Sequence, residues 1–169
     1  MNLVAIMMDS AATARSAREA CAEMANEGLI ELGDAVVAFK DADGDVQLDQ
    51  SVNLTAAGAA GGAWWGVLIG GLAGLAVGNP LLMLAGTAGG AAGGAVGGLF
   101  SDAGISDEMM EQSGEALSNG KAILFLMGRT GAPDKVLERL KPFGGKVVSS
   151  NLSNDMDTKI NAALAEATA

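Results

Sequence analysis

From Leu54 to Phe100 the chain runs forty-seven residues without a charged side chain, and fifteen of those residues are glycine. Their spacing restricts the fold most. Gly58, Gly62, Gly66, Gly70, Gly74 and Gly78 recur at every fourth position, and after Asn79-Pro80 the pattern resumes at Gly86, Gly90, Gly94 and Gly98. On a helix this period lines the glycines along one strip, where missing side chains let a second backbone approach closely. The spacing predicts two glycine-zipper helices, folded back at Asn79-Pro80 and embedded in a membrane. Thr55 to Gly78 is twenty-four residues and Leu81 to Phe100 is twenty. At about 1.5 Å per residue each arm reaches across an apolar layer of about 30 Å.

Glycine costs about 1 kcal/mol relative to alanine inside a helix, so eight glycines between Thr55 and Gly78 make a poor helix in water. In lipid an unpaired backbone group is far more costly, and close packing compensates for the glycines. Val67, Leu68, Leu72 and Leu75 supply bulk away from the strip, while Trp64, Trp65 and Phe100 suit a membrane interface. A full crossing and a re-entrant hairpin both satisfy the pattern; a hairpin buried in a soluble assembly is the competing arrangement. Each four-residue step turns a helix by about 400°, so the strip drifts by about 40° per step. One partner cannot follow such a strip along its whole length unless the helices cross steeply. The drift predicts a homo-oligomer, with the ten spaced glycines as its packing surface.

All thirty charges lie outside this segment. Ten Asp/Glu and three Lys/Arg precede it, and ten Asp/Glu and seven Lys/Arg follow it. A net charge of −10 argues against nucleic acid, which needs clustered Lys and Arg, and against a polybasic grip on anionic headgroups. Contact with a lipid bilayer is therefore expected through apolar burial. Met1 to Met8 has no basic start and Asp9 ends its apolar run, so no secretory leader is predicted. A single cysteine gives no intrachain disulfide. These features together place the chain at the inner (cytoplasmic) membrane with both termini cytoplasmic.

Candidate chemistry is sparse. The chain has no histidine and no tyrosine, which removes the commonest general base and metal ligand. Cys21 falls on the apolar face of a helix, with no basic cluster to activate it. Asp41, Asp43 and Asp45 open like a calcium loop, but Val46 and Val52 stand where glycine and glutamate are required, so a hairpin turn is expected instead. No Gly-Lys-Ser/Thr follows the glycine pairs, which excludes a phosphate loop. Asp107, Glu108, Glu111 and Glu115 form an acidic helix face that reads as solvated. No catalytic, cofactor-binding or metal-binding residue is nominated, and enzymatic activity is not expected.

Outside the glycine segment the patterns alternate between strand and helix. Leu3 to Met8 reads as a buried strand, Ser10 as a cap, and Ala14, Ala17, Cys21 and Met24 as the inner face of a helix ended by Gly28. Arg15, Arg18, Glu19 and Glu23 take its other faces. Ala35 to Phe39 is a strand, Asp41-Ala42-Asp43-Gly44 a turn, and Val46 to Val52 a weaker strand. After the segment come a helix over Asp107 to Leu117, a strand over Ala122 to Met127, a helix from Pro133, a strand over Lys146 to Ser150, and a helix from Ser153. Two strand–helix–strand units, 3–40 and 122–150, predict an α+β fold: a ferredoxin-like sandwich with helices on one sheet face, into which the apolar hairpin is inserted. The division is 1–53 for the first half, 54–100 for the hairpin, 101–152 for the second half and 153–169 for a C-terminal amphipathic helix.

Several stretches together resemble a known family. They are Leu29-Ile30-Glu31-Leu32-Gly33-Asp34-Ala35-Val36-Val37, then Gln50-Ser51-Val52-Asn53-Leu54-Thr55 leading into the glycine segment with Asn79-Pro80. Asp102-Ala103-Gly104-Ile105 and Pro133-Asp134-Lys135-Val136-Leu137 complete the pattern. It is similar to small bacterial membrane proteins grouped as domain of unknown function 1269. The resemblance implies a membrane protein of the same layout; it brings no activity and no functional residue. The expected function is structural: a homo-oligomer that scaffolds or curves membrane through hairpin packing. A pore component and a ligand-sensing membrane module are the alternatives.

Overall fold

Helix α1 (Ala11–Asn26) starts where its sequence directs. Ser10 is extended at φ −152°, and its hydroxyl accepts the Thr13 amide at 3.1 Å, which satisfies an amide that the helix leaves open. Gly28, at φ +74°, turns the chain out of the helix. A computed structural model describes residues 2–44, 46–49 and 107–168 of the chain. The elements run β1 (Asn2–Met8), α1, β2 (Glu31–Lys40), β3 (Val46–Asp49), α2 (Asp107–Ser118), β4 (Ala122–Arg129), α3 (Pro133–Leu140), β5 (Lys146–Ser150) and α4 (Asn154–Ala165).

The five strands form one antiparallel sheet in the order β3-β2-β4-β1-β5. The two strand–helix–strand units interleave: β4 lies between β1 and β2, and β1 lies between β4 and β5. Register settles which side chains share a face. Val4 faces Leu126 and Ile6 faces Leu124 across β1–β4, while Ala35 and Val37 face the same two leucines across β2–β4. A bulge between Leu32 and Asp34 brings Leu32 opposite Gly128, so Leu32 joins this side despite lying three residues before Ala35. Helices α1, α3 and α4 cover this face, and their Cys21, Met24, Leu140, Ile160 and Leu164 complete its core.

The expectation that helices occupy one sheet face needs correction. Ala5, Val36, Ala38, Ile123 and Phe125 point the opposite way, and all five are fully buried. Helix α2 contacts β2, β4 and β5 and buries Ala116 and Leu117; we place it on that second face. The physical reason is visible in Ala35-Val36-Val37-Ala38 and Ala122-Ile123-Leu124-Phe125. Continuous apolar runs belong to strands covered on both sides, whereas one-sided burial gives alternation. Strand β2 also begins at Glu31, earlier than the apolar run alone suggested.

Among the described residues no helix is long and apolar enough to cross a membrane. The predicted hairpin at 54–100, including Asn79 and Pro80, lies outside the described residues, as do Ser51 and Val52 of the expected second strand.

Candidate functional site

The β2–β3 hairpin carries the chain to the start of the apolar segment. Its turn is tied by Asp41, whose carboxylate accepts the Asp43 amide at 3.0 Å and the Gln47 side-chain amide at 2.7 Å. Gly44 takes φ +87° to close it. Asp41 thus holds a turn, in line with the hairpin reading; Asp45 lies outside the described residues.

Strand β3 ends at Asp49, opposite Val37. Residues paired in this way share a face, so the Asp49 carboxylate stands on the side covered by α1. Two arginines from α1 converge on it. Arg15 Nε donates to Oδ2 at 2.6 Å, and the guanidinium also lies 4.8 Å from the centre of the Phe39 ring. Arg18 Nη1 sits 3.0 Å from Oδ1 and donates to the Asp49 carbonyl at 2.6 Å. One residue, the last described before position 107, is therefore held by its side chain and its backbone together.

Arg18 corrects the sequence expectation. The apolar pattern puts it on another face of α1 than Ala14, Ala17, Cys21 and Met24, yet the residue is only 3% exposed. A buried guanidinium is tolerable only when paired, and Asp49 supplies the pairing. The signal was present in the spacing. Ala14, Arg18 and Cys21 stand at i, i+4 and i+7, the positions of one helix face.

Cys21 lies where the spacing placed it, buried and in the core. Burial pushes its thiol up to about 12, so at neutral pH it is a small apolar group and not a nucleophile. Glu115 is exposed. The remaining sequence-nominated residues, Gly58, Gly62, Gly66, Gly70, Gly74, Gly78, Gly86, Gly90, Gly94 and Gly98 with Trp64, Trp65 and Phe100, lie outside the described residues.

A protein-family model described as "Protein of unknown function (DUF1269)" matches residues 59–165. The match takes in α2, β4, α3, β5 and α4, but not β1 to β3, so Arg15, Arg18 and Asp49 stand outside it. No curated protein and no solved structure matches the chain.

Proposed function

The chain belongs to the DUF1269 family, and from that premise we propose that it is a structural membrane protein, a homo-oligomer that scaffolds or curves a bacterial inner membrane through its glycine-zipper hairpin. The carrying observation is that a 47-residue charge-free segment is flanked on both sides by elements of one sheet domain. Its leading side is β3, held at Asp49 by Arg15 and Arg18. Its trailing side is α2, which packs on the same sheet. A hairpin that returns to its starting side needs both ends on one platform, and this arrangement supports that reading.

We read the platform as ferredoxin-like, with both termini cytoplasmic. The order β2-β4-β1-β5 with two interleaved strand–helix–strand units supports it, β3 being an added edge strand. Oligomerisation rests on the glycine strip, whose drift around the helix calls for more than one partner.

The test is cross-linking in native membranes, combined with electron microscopy of the full chain purified in lipid. Oligomers are expected from the native chain, and Gly70→Leu or Gly90→Leu should reduce them to smaller species by blocking close approach. A native chain that cross-links only as monomer, or that leaves the membrane fraction in alkaline wash, would overturn the proposal. Conductance in planar bilayers would transfer the same hairpin to the pore reading.

A further inference from the structure

A cavity of about 220 Å³ opens on the sheet face covered by α1, α3 and α4. Val4, Ile6 and Leu126 form its floor, and Val136, Leu137 and Ile160 face them from α3 and α4. Burial gives it direction. Ile6 and Cys21 are each 1% exposed and mark the deep end, while the exposed Asn2, Arg129 and Thr130 mark the mouth.

The polar groups decide what it can hold. At the mouth, Arg129 Nε donates to Glu31 at 2.6 Å, which neutralises the rim. Thr130 Oγ1 donates to the Leu29 carbonyl at 2.6 Å and accepts the Ala132 amide at 2.9 Å. Inside, Cys21 offers only a protonated thiol. A cavity walled in this way offers water few partners beyond its mouth, so an apolar guest gains by filling it. A charged head has no partner in the interior and is left at the rim.

We propose that this cavity binds the alkyl chain of a small, uncharged, medium-chain amphiphile. Size sets the class. An apolar cavity of about 150 Å³ takes up a benzene, so by the same measure 220 Å³ suits a guest of about eight carbons, short of the acyl tail of a bilayer lipid. The binding is independent of the membrane assembly proposed above.

The test is methyl-selective NMR of the full chain, titrated with 1-butanol, 1-hexanol, 1-octanol and 1-decanol. Ile6, Ile30 and Ile160 line the cavity, whereas Ile123 is buried on the opposite sheet face. The first three signals should shift saturably and Ile123 should not. Affinity should rise about fourfold per methylene and level off near eight carbons. Val136→Phe should move that limit to shorter chains, and Leu137→Ala to longer ones. The two variants act in opposite directions, so general loss of structure cannot imitate the pair. Affinity that climbs without a limit, shifts shared by Ile123, or a limit unmoved by both variants would overturn the proposal, since each signifies partitioning into other apolar surface. Oligomers that persist in Val136→Phe would show that the two proposals stand or fall separately.

Discussion

Arg18 Nη1 lies 3.0 Å from Asp49 Oδ1 and 2.6 Å from the Asp49 carbonyl, so a nearly buried charge on α1 fixes the last residue of β3 by side chain and backbone together. The partners are unequal: the Arg18 side chain is 4% exposed and that of Asp49 is 30% exposed. Asp49→Ala strands a buried guanidinium with one carbonyl and is expected to cost about 3 kcal/mol. Arg18→Ala leaves a partly solvated carboxylate that still meets Arg15, and should cost about 2 kcal/mol. Arg15→Ala, in the more exposed pair, should cost less than about 1 kcal/mol. Thermal unfolding of the three variants checks this order; equal losses would rule out the clamp.

Gly128 is required by close approach, not by backbone twist. A Cβ built there would lie 2.7 Å from the Glu31 carbonyl oxygen of the neighbouring strand, whereas one on Gly131 meets nothing within 4 Å. Gly128→Ala should therefore destabilise by about 1–3 kcal/mol, and Gly131→Ala by less than about 0.5 kcal/mol. Melting temperatures of the two variants, measured side by side, decide it.

The Cys21 thiol gives stability a dependence on alkaline pH. Its value rises from 9.0 to about 12 through burial. Above pH 9 the unfolded chain ionises its thiol while the folded chain does not, so this contribution is complete below pH 9 and is lost as pH rises toward 12. The native chain should lose about 1.4 kcal/mol per pH unit relative to Cys21→Ala over that window. Parallel pH profiles of the two proteins would contradict it. In the folded chain at pH 7.5, iodoacetamide should leave Cys21 unmodified until denaturant is added.

Ser113 on α2 has a fully buried hydroxyl with no hydrogen-bond partner among the described residues. Replacing it by alanine removes a desolvated polar group without opening a large hole. Ser113→Ala should leave stability unchanged or raise it by up to about 1 kcal/mol. A loss of more than 1 kcal/mol in thermal unfolding would show that this side chain is hydrogen-bonded after all.

Much of the α+β domain was legible because local signals agreed with the tertiary outcome. Ser10, Gly28, Gly44 and Ser153 each punctuate an element where sequence placed a cap or turn, and Ala14, Ala17, Cys21 and Met24 line the buried side of α1. The errors have one source. Arg18 carries a charge while its i+4 spacing from Ala14 points inward, and Val36, Ala38, Ile123 and Phe125 leave no polar alternation on either strand, the mark of a second covered face.

By itself the sequence determined the alternation of strands and helices, the acidic and histidine-free chemistry, and the charge-free glycine segment, because each is a property of local composition and period. Only the tertiary structure decided that the two halves interleave, that Arg18 and Asp49 meet, and that aliphatic side chains from β1, β4, α3 and α4 enclose a cavity. Those facts depend on register and packing between residues far apart in the chain. Arg18 and Asp49 are thirty-one positions apart, and no local pattern encodes which distant carboxylate a buried arginine will find.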